Sequence, residues 1–184
     1  MAVCWDLLSQ AEHGPDSQSI VISDSGDLLE QVGRSLVTTA AGLPRVDILK
    51  ESLQYLRRIR VESITQAVEI SNRYAPEHLI LNCNDPEKLA DGITVAGSVF
   101  IGPYTPESLG DYCSGTNHVL PTYGYARAYG GLSVTDFLRR MTLQRATQSG
   151  LQGVGPCAAT LAQAEGLEAH RMAVEYRLNK GTGK

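Results

Sequence analysis

Short apolar, β-branched runs alternate with helix-patterned segments from the start of this chain through about residue 102, and that alternation admits few folds. SIVIS (19–23), residues 57–61, HLILNC (78–83) and GSVFIG (97–102) read as strands. Between them lie helical stretches: a long one running to Ala40 behind DSGD, a short one near 45–53, SITQAVEISNRY (63–74) and DPEKLADGI (85–93). Ser63 suits an N-cap, and Pro86 suits a first helical turn. A strand-helix alternation of this kind builds a parallel, layered sheet, because parallel strands need crossover connections. In such sheets functional groups are expected beyond the carboxyl ends of the strands.

The rest of the chain breaks the pattern. Residues 103–131 are dense in Gly, Pro, Tyr, Ser and Asn, too long and too specialised for a plain connector. From 132 onward the sequence reads as the mixed segment VTDFLRRMTLQ and then two helices, about 156–165 and 167–180. The expected architecture is α/β: a partial Rossmann-like layered parallel sheet over 1–131, followed by a small, mostly helical C-terminal domain over 132–184. The chain opens on a helix, residues 3–13, with no strand before it, so further sequence is expected upstream.

Composition narrows the function. A net charge of −4 disfavours a nucleic-acid surface. No apolar run approaches a membrane span, and the polar turn at LLSQ gives no secretory signal. Four cysteines without a CxxC pair read as reduced thiols, which points to a cytoplasmic location.

All four histidines fall in polar motifs rather than amphipathic runs: His13 in LLSQAEHGPDSQ, His78 in YAPEHLI, His118 in GDYCSGTNHVLP and His170 in EGLEAHR. Imidazole is the commonest metal ligand and titrates near neutrality, so a composite metal and acid–base site is the leading chemistry. Gln10 and His13 share a helix face and can present two ligands to one ion, or can be a surface Gln and a helix-ending His. Glu77 and His78 offer two proton acceptors of different basicity at a helix-to-strand turn, or simply close that turn. Asp111 and His118 bracket small residues that allow close backbone approach to a ligand, or form a self-satisfied polar loop. Glu165 and His170 flank the junction at Gly166 and read by themselves as solvated helix residues. Cys113 is a rival feature, a thiolate able to attack an aldehyde. Gly153-x-Gly155-x-x-Ala158 lacks the preceding strand that a dinucleotide fingerprint needs, and reads as a loop entering a helix at Pro156.

Taken in order, LLSQAEHGPDSQ, YAPEHLI, AGSVFIG, PESLGDYCSGTNHVLPTYGYA, FLRRMTLQ and EGLEAHRMAV resemble the histidinol dehydrogenase family along essentially the whole chain. The resemblance implies a homodimeric oxidoreductase with one Zn2+ per subunit. It would oxidise L-histidinol through L-histidinal to L-histidine with two NAD, ending histidine biosynthesis. It further implies Gln10, His13, Asp111 and His170 as zinc ligands, which also meet the substrate, and Glu77 and His78 as the acid–base pair. His118 and Glu165 would contact substrate, Glu165 reaching into the partner's site. Cys113 stands where family members often carry Ala, which weakens the thiolate alternative. Family chains extend further at the N-terminus, over the region that binds NAD, so this sequence resembles a C-terminal portion. No NAD contact is assigned to it. The alternative is a catalytically inactive, zinc-binding and dimer-forming piece of that enzyme.

Overall fold

The computed structural model describes residues 1–180. It divides into two compact units, Met1–Phe137 and a second beginning at Leu138. In the first, helix α1 (Ala2–Ala11) leads to strand β1 (Ile20–Ser23), helices α2 (Gly26–Ala40) and α3 (Val46–Ser52), and strand β2 (Arg57–Arg60). Helix α4 (Ile64–Tyr74), strand β3 (His78–Leu81), helix α5 (Pro86–Ala90), strand β4 (Ser98–Ile101) and helix α6 (Glu107–Tyr112) follow.

The alternation does give parallel strands, as two pairs rather than one continuous sheet among the described residues. β1 pairs with β2 in the register Ile20 to Arg57, and β3 with β4 in the register His78 to Ser98. The helices that follow β1 and β2 with short breaks start on local caps. Ser25 caps α2 by accepting from the Leu28 amide, and Ser63 caps α4 by accepting from the Gln66 amide. Helix α4 ends at Ala75 in the left-handed region (φ 60), unusual for a residue with a Cβ, and Pro76 then forces extended backbone into β3. That turn sets Glu77 and His78 at the amino end of β3, not at the carboxyl end where the sheet type led us to expect functional groups.

The principal core joins one face of α1 (Cys4, Leu7, Leu8, Ala11) to α2 (Leu29, Val32, Leu36, Ala40), with Val21 and Leu49 completing it. Leu8 and Leu49 are 1% and 0% exposed. This packing fixes the helix whose last turn carries Gln10 and leads into His13.

Two stretches fold differently from their sequence reading. The Gly-rich segment holds a helix, α6, because Pro106 supplies extended backbone before Glu107 and the following residues can wind. In the second unit, α7 (Gln148–Ala164) starts well before Pro156, since Thr147 caps it on the Gly150 amide. Interior proline costs about 3 kcal/mol. The helix persists because it packs on α8 (Glu168–Lys180), with Gly155 so close to Leu178 that a Cβ would sit 3.1 Å away. Gly153 and Gly155 therefore lie inside a helix rather than in a phosphate loop, and Gly155 serves the packing on α8.

Leu8→Ala should cost about 3 kcal/mol, by lost transfer energy and an unfilled cavity. The melting temperature should fall by roughly 6–12 °C. Thermal denaturation followed by circular dichroism checks this, and a shift under 2 °C would show that α1 is not anchored in the core.

Candidate metal and acid–base site

Three elements of the first unit converge on one polar cluster. The end of α1 brings Ser9, Gln10 and His13; the turn into β3 brings Glu77 and His78; α6 brings Glu107 and Asp111. Glu107 and Asp111 are four apart on α6 and so share a face, while His13 lies two residues past the end of α1 that carries Ser9. Ser9 Oγ lies 3.2 Å from Glu107 Oε2, and 2.8 Å from the Asp6 carbonyl. Glu107 Oε1 lies 4.0 Å from His13 Nε2 and 3.9 Å from His78 Nε2.

His13, Glu107 and Asp111 each place a donor atom within 4.8 Å of the others, the one such group among the described residues. An imidazole nitrogen and two carboxylates form an N/O donor set that suits a divalent cation such as zinc. His78 supports that fit. Its ring is mostly buried, and its Nε2 has no hydrogen-bond partner although it faces the cluster. An orphaned buried nitrogen beside a buried carboxylate calls for a partner, and an ion, a water or a substrate atom would supply one.

The other face of His78 is fixed. Gln10 Oε1 stands 3.0 Å from Nδ1, and Phe100 packs on the ring with centroids 5.9 Å apart. With the amide oxygen toward the ring, Nδ1 carries the proton and Nε2 keeps the lone pair. Phe100 is itself backed by Gly110, where a Cβ would meet the ring at 2.7 Å, so α6 needs glycine there to come this close. Gly97 has the same role at the strand entry, its missing Cβ lying 2.6 Å from the Glu77 carbonyl.

Burial governs the electrostatics. It pushes the Glu107 carboxyl above its ordinary value, and a hydrogen bond with Asp111 and that residue's charge push it further. It also raises Glu77, against the lowering effect of His78 and His13. It lowers His78, against the raising effect of Glu77 and Asp111. His78 is accordingly held neutral and Glu77 is made a stronger base than a solvated glutamate, as acid–base work near neutrality requires.

The remaining sequence-derived candidates lie on other segments of the chain. His118 is exposed on the loop after α6. That loop is tied back to the turn beyond His13 by Tyr123, whose hydroxyl donates to Asp16 Oδ2 at 3.0 Å. Glu165 and His170 belong to the second unit, at the end of α7 and the start of α8. Cys113 is free and exposed. Sequence reasoning missed Glu107. Its spacing of four from Asp111 was a usable signal, but the segment was read as loop, where such spacing has no meaning.

Glu107 also sets a pH dependence. Its folded-state value lies above the ordinary 4.5, so its contribution to stability is full below 4.5 and is lost as pH rises through the folded value. His78 acts oppositely: its contribution is full above 6.5 and is lost as pH falls through the depressed folded value. In metal-free protein, Glu107→Gln should reduce the loss of stability between pH 4.5 and 7. Urea unfolding in chelator at both pH values measures it, and an unchanged difference between parent and variant would contradict the assignment.

Comparison with known proteins gives this cluster a setting. The family model described as histidinol dehydrogenase matches residues 1–178. Histidinol dehydrogenase of Xanthomonas euvesicatoria pv. vesicatoria (strain 85-10) is 53% identical over 176 residues, covering 96% of this chain and 41% of that protein. The Shewanella oneidensis protein of the same name is 53% identical over 176 residues, covering 96% of this chain and 40% of its own length. The crystal structure of histidinol dehydrogenase from Elizabethkingia anophelis superposes with a TM-score of 0.96 at 46% identity, covering 99% of this chain and 42% of that one. The chain thus spans about two-fifths of the length of the relatives it matches.

Proposed function

The chain belongs to the histidinol dehydrogenase family, and on that premise we propose that it carries the zinc and acid–base half of an NAD-dependent oxidation of L-histidinol through L-histidinal to L-histidine. The observation that carries this reading is the buried His78 with an unpartnered Nε2, facing His13, Glu107 and Asp111. Zinc ligands in this reading are Gln10, His13, Asp111 and His170. The Gln10 amide oxygen has a second lone pair, so its hydrogen bond to His78 and metal ligation are compatible. Zinc, when bound, supplies a positive charge that can hold the substrate's imidazole and amine. NAD accepts the hydride in each oxidation. No residue of this chain is assigned to NAD, and none in the described structure forms a recognised dinucleotide loop.

The chain's own residues then divide the proton work. His78 Nε2, basic and held by Gln10 through Nδ1, takes the hydroxyl proton as hydride leaves the alcohol carbon. Glu77 deprotonates a water for addition to the aldehyde, giving the hydrate that loses the second hydride. His118 and Glu165 contact the substrate, Glu165 from the second copy in a homodimer. Large apolar side chains left in solvent, among them Tyr123 (86% exposed), Phe137 (79%) and Leu143 (88%), support the dimer. No described helix is long and apolar enough to cross a membrane. A second reading, a zinc-binding and dimerising piece without catalysis, is favoured by the two-fifths coverage of the relatives. Histidinol-dependent NAD reduction by the 184-residue chain alone separates the two.

Two outcomes test the site. His13→Ala and His170→Ala should each lose zinc by elemental analysis of the purified protein, and retention of full zinc in both would sink the ligand set. In protein competent for turnover, Glu77→Gln should slow histidinal oxidation at least ten times more than histidinol oxidation, because only the second step needs an activated water. His78→Asn should slow both. Equal losses in the Glu77 variant, measured with each substrate separately, would contradict the division of roles.

A further inference from the structure

We propose that Glu107 is a positioning residue of the cation site, locking the ligand-bearing helix α6 to α1 through Ser9 and presenting its second oxygen to His13 and Asp111. The inference rests on the zinc reading above. It concerns a residue that the ligand set does not contain.

The geometry is specific. Glu107 is 4% exposed, on the first turn of α6, and no lysine or arginine among the described residues pairs with it. A buried carboxylate without a cationic partner is costly and persists only where something compensates it. Here Ser9 holds Oε2 at 3.2 Å, while Oε1 stands between His13 Nε2 at 4.0 Å and His78 Nε2 at 3.9 Å. Both distances exceed a hydrogen bond, so Oε1 points into the space that the His13, Glu107 and Asp111 donors enclose.

The helical register explains why this residue can position the others. Ser9 touches Glu107, and further along each segment His13 and Asp111 come together. Asp111 is carried on α6 with Glu107, and His13 follows two residues after the end of α1, so the Ser9 contact sets how closely the two segments bearing His13 and Asp111 approach. Carboxylates that orient metal ligands from outside the coordination shell typically control affinity by about 10- to 100-fold. The second negative charge also offsets the cost of placing a doubly charged ion beside the mostly buried His78 imidazole.

Zinc affinity, measured by chelator competition on the purified protein, reads this directly and independently of turnover. Glu107→Ala should weaken zinc about 10- to 100-fold. Ser9→Ala should weaken it less, by about 2- to 5-fold, and the double variant should be no weaker than Glu107→Ala alone, because the serine acts through the glutamate. Glu107→Gln keeps volume and the acceptor for Ser9, so it should fold even where the alanine variant does not. It should still lose at least fivefold in affinity, because the charge is gone. Zinc held within twofold of the parent by Glu107→Gln would overturn the proposal, as would fully additive losses in the double variant. Failure of the parent to bind zinc, or full zinc in His13→Ala, would instead strike the ligand reading itself.

Discussion

A carboxylate buried between two helices and a strand organises this structure. Glu107 can sit at 4% exposure only because Ser9, His13, His78 and Asp111 surround it, and each of those comes from a different position along the chain. Removing water from such a group raises its energy, and the surrounding donors and imidazoles recover part of that cost. The same dehydration lowers the basicity of His78 and raises that of Glu77. One physical condition, burial of Glu107 and partial burial of Glu77 and His78, thereby underlies both the proposed cation site and the proposed acid–base pair.

The scaffold serves that condition through backbone detail. Ala75 in a left-handed conformation and Pro76 turn α4 into β3 so that Glu77 and His78 arrive together. Gly97 and Gly110 leave no side chain where the Glu77 carbonyl and the Phe100 ring must lie. Phe100 then braces His78 from one side while Gln10 holds its Nδ1. Behind α1, the apolar core of Cys4, Leu7, Leu8 and Ala11 against α2 keeps the ligand-bearing turn in place. The stability of the core and the precision of the site are connected through that single helix.

The family supplies what the local chemistry leaves open. An N/O cluster with a neutral histidine suits several hydrolytic or redox reactions. Identity of 53% over nearly the whole chain restricts the choice to the chemistry of one family, while the 41% coverage of the relative keeps the complete reaction a proposal for this chain. His170 and Glu165, on the second unit, enter the proposed site through the family resemblance rather than through any distance.

Local sequence determined the elements and most of the chemistry. Alternating strands and helices, the Ser63 cap, the Pro86 start and the concentration of Gln10, His13, Glu77, His78 and Asp111 in polar motifs all follow from short-range patterns, because propensity and capping act over a few residues. Tertiary structure alone decided two things. It ran α7 through Pro156, where α8 packs against it, and carried Glu107 from the first turn of α6 to Ser9, far away in sequence. Each outcome depends on a partner from another element. Burial of a carboxylate or tolerance of an interior proline is a property of the neighbours that surround it, and a sequence does not show which neighbours those will be until the chain has folded.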